Sequence, residues 1–549
     1  MLRRVYPCRR PCRKWGLGTL VGMFLLVGYP SPFAADYFVA PHGDDTASGA
    51  SSHAAWRTVE RVNRARLLPG DRVLFEGGKS FSGNLVLSAE DSGRPGAPVV
   101  LDSFGTGRAT LLAGLGTGIL VENAHDLLVR NLVVVGAGRT NNIGYGIRCD
   151  NTLPQAVRLA NLTITNVEAR GFGVFGVLVS GAKSGFEHVR VSHCVLRDNL
   201  RGGMEIAGRL AWDSPAFAHA DVQVDHCQAF DNTGDPSYLK NHSGSGIVLY
   251  QVDGGVLEHS QAWNNGALCQ SSGGGGVGLW ACASRRVVIQ HCESFSNRTS
   301  SADGGGFDLD GGCQECVLQY NYSHDNDGPG LMVYSYPYAS HADRGNIVRF
   351  NVSLHDARRG KRYSGLWVRT DGNEMTGLEI YNHTIVGGPW TDHAARIIPS
   401  KIEARLRNNI FIAIAPANPL RIDEASDRVR VEGNLYWRDG GSTEVAWGEQ
   451  VYSSLQEWRD RTGQEMLNGQ PTGHFVDPEL VFRRHDPADG PRQGVPALRA
   501  FRPLPHSPAL AGGLDLRRRF GIQMGDRDLL GVALTDRLPI GAIAAPALD

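Results

Sequence analysis

"VSHCVLRDN" (residues 191–199), "VDHCQAFDN" (224–232), "LEHSQAWNN" (257–265) and "IQHCESFSN" (289–297) decide the fold, because they are one pattern written four times. Looser copies extend the pattern from Asn131 to Asn434 at spacings of 26 to 35 residues. One column holds polar residues and cysteines: Asn131, Asn166, Cys194, Cys227, Ser260, Cys292, Asn321, Asn351, Asn382, Asn408 and Asn434. A second column, five residues on, holds Asn199, Asn232, Asn265, Asn297, Asn326 and Asp356.

A third column holds a glycine before a short apolar strand, as in "GMEIAG" (203–208), "GIVLYQ" (246–251), "GVGLWA" (276–281), "GFDLDG" (306–311), "GLMVYS" (330–335) and "GLWVRT" (365–370). A fixed period of this length indicates a solenoid. Apolar residues alternate with period 2 inside each repeat, which predicts strands and excludes helical repeats. The sequence therefore predicts an all-β, right-handed parallel β-helix of about 11–12 coils with an N-terminal capping helix. Coils stacked at the strand spacing of about 4.8 Å give a rod on the order of 50–60 Å long.

Composition limits the classes of partner. The 549 residues include 69 glycines, as a corner-rich fold requires, and the formal net charge is −1. The composition has no excess of basic residues, so nucleic acid is not expected as a partner. We expect a monomer, since a solenoid extends its core along one chain.

The first 35 residues read as a secretory signal peptide. Basic residues precede an apolar run from Trp15 to Val27, and small residues follow at Ala34 and Ala35. An uncleaved membrane anchor is the alternative. No second apolar run has spanning length, so we expect a secreted or periplasmic protein with no membrane span beyond the signal.

Four segments are expected: the signal peptide (1–35), an N-terminal cap with the first coils (36–100), the β-helix (101–436), and a C-terminal capping region with irregular strands and a short helix (437–549). The segment "AAWRTVERVNRAR" (54–66) predicts the capping helix, which would cover an open solenoid end.

The cysteines have structural interpretations. Cys194, Cys227 and Cys292 stand in the stacked column, where a thiol serves as a small buried apolar group. Neighbouring coils would bring Cys194 near Cys227, where a disulfide could form in an oxidising compartment. Cys313 and Cys316 form a C-x-x-C without a second pair at metal-ligand spacing, so structural thiols, or a bridge from Cys313 to Cys282, are favoured.

Nearly the whole chain after the signal resembles the secreted right-handed β-helix proteins of pectin-lyase-like fold. The resemblance rests on the opening "YFVAPHGDD" (37–45) and "LLPGDRVLFEGGKSFSG" (67–83), the coils, and the closing "PHSPALAGG" (505–513). A fainter similarity connects "ADGGGFDLDGG" (302–312) and "HDNDGPG" (324–330) to family 9 polysaccharide lyases. That similarity implies calcium ligands at Asp303 and Asp327. The sequence departs from that family at Trp367, which stands where its lysine base is expected.

Alternation predicts one outward face that carries carboxylates and aromatic rings. Phe307 and Leu309 should point inward, so Asp308 and Asp310 should point outward. The glycine column predicts two outward rows: Glu205, Val248, Gly278, Asp308, Met332, Trp367; and Ala207, Tyr250, Trp280, Asp310, Tyr334, Arg369. Tyr250, Trp280, Tyr334 and Trp367 are the predicted sugar-stacking residues. Alternatively, these rings pack beneath a long loop and the two carboxylates are merely solvated.

Three functions remain open from the sequence. The first is a lyase-like enzyme that cleaves an acidic polysaccharide by β-elimination with Ca²⁺, using Asp308, Asp310, Lys361 and Arg369 as catalytic residues. His242 and His341 are further candidate bases. The second is a glycoside hydrolase, because Asp308 and Asp310 lie about 7 Å apart along one strand and paired carboxyls suit that reaction. The third is a glycan-binding or surface structural β-helix without catalysis.

Overall fold

The computed structural model describes residues 34–210, 214–483, 494–535 and 538–544, and the predicted signal peptide lies almost wholly outside these ranges. Three long sheets, which we name A, B and C, wind around one apolar core. Successive strands along the chain pass from A to B to C, and strands of successive coils pair in parallel. The exception is the last pair of sheet C, Val445–Trp447 with Gln450–Tyr452, which is antiparallel. The predicted all-β right-handed parallel β-helix is confirmed.

The strands of sheet A are Asp36–Val39, Arg72–Glu76, Val99–Phe104, Leu127–Arg130, Leu159–Thr165, Phe186–Ser192, His219–Asp225, Val252–Glu258, Arg285–Gln290, Val317–Gln319, Ile347–Arg349, Met375–Tyr381, Ile402–Arg407 and Val429–Glu432, with Asp343–Arg344 at the side. The strands of sheet B are Ser80–Ser82, Ala109–Gly114, Leu132–Gly136, Glu168–Arg170, Val195–Arg197, Gln228–Phe230, Gln261–Trp263, Glu293–Phe295, Tyr322–His324, Val352–Leu354, Thr384–Val386, Ile410–Ile414, Leu435–Asp439 and His474–Phe475. The strands of sheet C are Leu85–Leu87, Ile119–Glu122, Ile147–Asn151, Phe175–Gly181, Gly202–Gly208, Ser245–Tyr250, Leu279–Cys282, Phe307–Asp310, Leu331–Ser335, Leu366–Thr370, His393–Ile398, Asn418–Ile422, Val445–Trp447 and Gln450–Tyr452.

Helices are short. The α-helices are Val59–Asn63, Leu455–Thr462, Gly494–Leu498 and Leu516–Phe520, and the 3₁₀ turns are Ser52–Ala54, Ala89–Asp91, Val481–Arg483, Arg499–Phe501 and Pro508–Leu510. A two-stranded antiparallel ribbon joins Met466–Leu467 to Gln470–Pro471. The predicted N-terminal helix is shorter than its periodicity suggested, because Trp56 is held by a bridge to Val39 and Thr58 caps the helix. In the described parts of the chain, no helix is both long and apolar enough to cross a membrane.

Two ladders of buried side chains run along the rod. In the second predicted column, the amide of each asparagine donates to the next, and Asn326 donates to Asp356 at 2.8 Å. The other ladder passes through Asn321, Asn351 and Asn409 and ends on Glu465 beyond Asn434. Each ladder therefore ends on a carboxylate, which is the stronger acceptor.

The first predicted column mixes two positions. Asn131, Asn166, Asn382 and Asn408 have φ between 51° and 56°, so they occupy the left-handed corner between sheets A and B. The buried ladder lies one residue later, at His383 and Asn409 in the later coils. Asparagine suits both positions, since it tolerates a left-handed backbone and also bonds across coils.

The cysteines are confirmed as buried structural groups. In the described residues Cys149, Cys194, Cys227, Cys269, Cys282, Cys292, Cys313 and Cys316 are all buried and unbridged. The disulfides that the sequence left open, at Cys194–Cys227 and Cys282–Cys313, are not present.

Candidate active-site cleft

A cleft of about 570 Å³ lies on the outer face of sheet C. Its floor is formed by the strands from Gly202–Gly208 to Leu366–Thr370. Its walls are the loops that carry Asn241–His242, Ser272–Gly275, Tyr336–Tyr338 and Arg362–Tyr363. These connections are long at successive coils, so the fold places several loops around one stretch of sheet, where binding groups are commonly found.

The strand register defines two outward rows and corrects one prediction. One row is Glu205, Val248, Trp280, Asp308, Met332 and Trp367. The other contains Ala207, Tyr250, Cys282 and Asp310, with Tyr334 and Arg369 following. Trp280 therefore stands beside Asp308, where the sequence had placed it beside Asp310.

The error is a slip of two residues at the glycine-rich run before Leu279. Gly278 occupies the glycine column, because a Cβ there would lie 2.9 Å from the Gly306 carbonyl oxygen and 1.9 Å from the Ser294 hydroxyl. Gly276, which the sequence had aligned, lies in the wall loop. A shift by two residues preserves the period-2 alternation, so the apolar pattern alone does not reveal it.

The predicted aromatic residues all line the cleft, together with Met332 and Tyr363. Trp280 and Trp367 are only 5% and 3% exposed, because the wall loops cover them. Tyr363 meets Trp367 edge-on at 5.1 Å, and His242 meets Trp280 edge-on at 4.8 Å. The alternative interpretation, rings packed beneath loops, thus describes part of their environment. The indole Nε1 atoms of both tryptophans nevertheless have no hydrogen-bond partner.

Asp308 and Asp310 stand side by side on the floor. Asp308 is 1% exposed, and its Oδ1 has no hydrogen-bond partner. Burial, reinforced by the charge of Asp310, raises the pKa of Asp308 well above its ordinary value. Asp310 accepts a hydrogen bond from the Gly311 amide at 2.8 Å. Burial raises the pKa of Asp310 to about 8 despite that bond, and the charge of Asp303 adds to the shift.

Asp303 is a third carboxyl in the cleft, and the sequence had assigned it to calcium. Its Oδ2 accepts from the Gly275 amide at 2.7 Å, and its Oδ1 accepts from the Tyr363 hydroxyl at 3.2 Å. Burial raises the pKa of Asp303, while these two donors favour the ionised form and oppose the shift. Of the three carboxyls, Asp303 therefore has the hydrogen-bond donors that best stabilise the ionised form.

Positive groups do not pair with the floor carboxyls in the described residues. Arg369 lines the cleft, but its Nε donates to Asp371 at 2.7 Å, and Asp371 also accepts from the Tyr334 hydroxyl at 2.9 Å. Lys361, predicted as catalytic, lies outside the cleft with its side chain 78% exposed, and its Nζ lies 3.1 Å from Asp392. The loop that carries Lys361 turns its neighbours Arg362 and Tyr363 towards the cleft instead.

Asp327, the other predicted calcium ligand, also lies outside the lining of the cleft. Its Oδ2 accepts from the Thr299 amide at 3.2 Å, which ties it to the turn of the preceding coil. Among the described residues, the group of three ligand atoms close enough to share a metal ion is His193, Asp225 and His226, on the exposed corner between sheets A and B. The rings of His193 and His226 are stacked at 4.8 Å with planes 5° apart.

Sequence reasoning assigned no role to three lining residues. The sequence placed Glu205 in the row of Asp308 but gave it no function. Glu205 lines the cleft, and burial raises its pKa to about 7. Tyr336 lies in a wall loop with its hydroxyl 3.6 Å from the Cys282 thiol. Tyr363 holds Asp303. Loop positions such as Tyr336 and Tyr363 carry no periodic signal, whereas Glu205 was identifiable as the other acid of the Asp308 row.

Comparisons with known proteins agree with this architecture. Residues 155–351 match the family model for the right-handed β-helix region. A lacto-N-biosidase of Bifidobacterium longum subsp. longum is 23% identical over 473 residues, and the match covers 68% of this chain and 28% of the relative. The crystal structure of GH136 lacto-N-biosidase from Eubacterium ramulus superposes with a TM-score of 0.51 and 18% identity, covering 70% of this chain and 65% of that chain.

Pectate lyase Pel9A covers more of the chain, 92%, at 16% identity and a TM-score of 0.41. The chain spans less than two thirds of the length of both biosidases, and at these identities the structural likeness establishes the fold. The stacked sheets and the family match lead to one conclusion: the chain is a right-handed parallel β-helix protein.

Proposed function

We propose that the protein is a glycoside hydrolase acting on an uncharged glycan, with Asp310 as the general acid and Asp303 as its ionised partner. The observation that carries the proposal is a group of three carboxyls, the buried Asp308 and the half-buried Asp303 and Asp310, in an aromatic cleft where no cation of the described residues pairs with them. Glycoside hydrolysis needs two carboxyls held in opposite protonation states at the same bond.

Asp310 suits the acid. With a pKa of about 8 it carries its proton at neutral pH, and it is the more exposed of the two floor carboxyls. Its carboxyl proton passes to the glycosidic oxygen as the bond from that oxygen to the sugar breaks. A well-matched general acid contributes about 10²–10⁴ in rate.

Asp303 suits the second role. The Gly275 amide and the Tyr363 hydroxyl stabilise its negative charge. The Asp303 carboxylate either attacks the sugar carbon or takes a proton from the attacking water. Asp308, buried and with its Oδ1 unpartnered, stays protonated, while burial and the charge of Asp303 keep the pKa of Asp310 raised. In both routes water is consumed and one new reducing end forms.

The charge of the cleft does not favour an acidic substrate. With Asp308 and Asp310 protonated, the remaining acids of the lining are Glu205, Asp303 and Asp371, beside Arg362 and Arg369. The cleft therefore has no excess of positive charge to bind a polyuronate, whereas a neutral sugar can use the aromatic walls. The two relatives named lacto-N-biosidase support a glycoside as the substrate class.

A second candidate is β-elimination of an acidic polysaccharide with Ca²⁺. The observation that favours it is the concentration of carboxylate oxygens, which are the ligands that Ca²⁺ takes in sets of six to eight. Asp303 and Asp327 would hold the ion, which would offset the charge of the uronate. Arg369, two coils from Asp310 and so about 10 Å away, would be the base.

One experiment separates the candidates. The secreted or periplasmic protein, which we propose is exported by residues 1–35, is incubated with neutral and uronate-containing glycans, with and without EDTA. Hydrolysis gives new reducing ends without ultraviolet absorbance and resists EDTA, whereas elimination gives an absorbing unsaturated product. Asp310→Asn and Asp303→Asn should each lower hydrolysis at least about 100-fold.

Asp327→Asn is the matched control, because an amide oxygen can still accept from the Thr299 amide and the residue lies outside the cleft. Full activity in Asp327→Asn supports hydrolysis, and its loss together with calcium dependence supports elimination. Glycan binding without any product would leave the non-catalytic β-helix as the correct description.

A further inference from the structure

We propose that Glu205 binds a sugar remote from the cleaved bond, so that the glycan lies along the rod axis and its length sets the specificity. This inference rests on the proposed hydrolysis at Asp310 and Asp303. It gives a role to a cleft residue that the reaction itself does not use.

Glu205 is too far from the reacting carboxyls to act on the same bond. It belongs to the row of Asp308, three coils away through Val248 and Trp280. Three strand spacings place its Cα about 14 Å from that of Asp308. A single sugar ring does not cover this distance, so a ligand that touches both residues has several sugars.

The surroundings of Glu205 do not explain its carboxyl as a structural group. Its register neighbours on the two adjacent coils are Leu178 and Val248, which offer no polar atom from their side chains. In the described residues its carboxyl has neither a hydrogen bond nor an ion pair, and Arg209 acts on it only through its charge. Glu205 is half-buried and lines the cleft, so a hydrogen-bond partner can reach its carboxyl from the cavity side.

Other unpaired polar atoms lie along the same row. Trp280 Nε1 and Asp308 Oδ1 lack partners, and so does Trp367 Nε1 two coils beyond Asp308. From Glu205 to Trp367 the row spans five strand spacings, or about 24 Å. Donors and acceptors that repeat along one line match a chain of hydroxyl-bearing rings. The chemistry assigned to Glu205 is therefore hydrogen bonding to sugar hydroxyls.

The test uses a neutral oligosaccharide that the wild-type protein cleaves and a short 4-nitrophenyl glycoside of its terminal sugar. Glu205→Leu should fold normally, because its flanking side chains are apolar, and should melt no lower than wild type. We expect kcat/KM for the oligosaccharide to fall at least tenfold, mainly through KM, with kcat/KM for the short glycoside unchanged. Glu187→Gln, a glutamate of sheet A away from the cleft, is the control and should change neither value.

Glu205→Gln distinguishes hydroxyl binding from charge. An amide still bonds hydroxyls, so we expect it to retain most of the oligosaccharide activity; a loss as large as that of Glu205→Leu would overturn hydroxyl recognition. Equal kcat/KM values for Glu205→Leu and wild type on the oligosaccharide would overturn the remote subsite, although hydrolysis itself would stand. If wild type cleaves no glycan, the proposed function fails first. Tryptophan fluorescence titrations with the same oligosaccharides then decide whether Glu205→Leu loses binding, and equal binding overturns the inference.

Discussion

Replacing Asn321 by leucine tests whether the buried ladder stabilises the rod. Its amide donates to the Ile289 carbonyl at 2.9 Å and to Asn351 Oδ1 at 3.0 Å, and its Oδ1 accepts from the Cys292 amide at 3.0 Å. Leucine removes all three bonds and leaves the Cys292 amide buried without a partner, which alone costs about 1–3 kcal/mol. With the weakened acceptors included, and leucine burial in part offsetting them, we expect about 2–4 kcal/mol of destabilisation.

The assay is calorimetry at one scan rate. A cooperative unfolding of about 500 residues has an entropy near 1 kcal/mol per kelvin, so the expected fall in Tm is about 2–4 °C. Asn321→Ser is the control, because the hydroxyl of Ser260 fills the same position and accepts from the Cys227 amide at 3.1 Å. Serine should cost clearly less than leucine. A leucine variant as stable as wild type, or more stable than the serine variant, would refute the ladder argument.

Three further predictions follow from the cleft and the core. The contribution of Asp310 to stability should fall from about pH 4 to pH 8, because Asp310 holds its proton to about pH 8 in the folded state and loses it near pH 4 in the unfolded chain. Asp310→Asn should flatten that part of the slope in thermal melts, and an unchanged slope would contradict the assignment. Trp280→Phe should weaken glycan binding by losing the unpartnered indole N–H, with a much smaller loss of Tm than Trp280→Ala. Excess dithiothreitol should leave Tm unchanged, since the described cysteines are unbridged; a fall would indicate a disulfide.

Four histidines oppose the Asp310 slope in the lower part of its pH range. Burial lowers the pKa of His219, His242, His383 and His393 to about 4. Their linkage therefore acts between about pH 4 and 6.5, where stability rises with pH. The difference in Tm between wild type and Asp310→Asn above about pH 6.5 therefore reports Asp310 without the histidines.

The repeat made the fold predictable because every coil meets the same steric conditions. Asn199 and its successors recur where a buried amide must bond to the next coil, and alternation identified Phe307 and Leu309 as inward residues. The same regularity produced the errors. Asn382 resembles a ladder residue but occupies the neighbouring left-handed corner, and Gly276 resembles the column glycine two residues before Gly278.

The floor of the cleft followed from this pattern, but its walls did not. Asp308, Asp310, Arg369 and the four aromatic residues were found because strand position fixes their direction. Lys361 was misplaced, since a loop residue has no periodic constraint and its neighbours were the ones turned inward. The protonation states of the carboxyls depend on how deeply the loops bury them, which no strand pattern contains.

Product analysis of Asp310→Asn beside wild type on the same neutral oligosaccharide tests whether the protein hydrolyses glycans with Asp310 as the general acid. We expect that wild type releases new reducing ends without ultraviolet absorbance, and that Asp310→Asn releases them at least about 100-fold more slowly while retaining binding and a Tm no lower than that of wild type. An absorbing unsaturated product from wild type, or undiminished cleavage by Asp310→Asn, would contradict this mechanism.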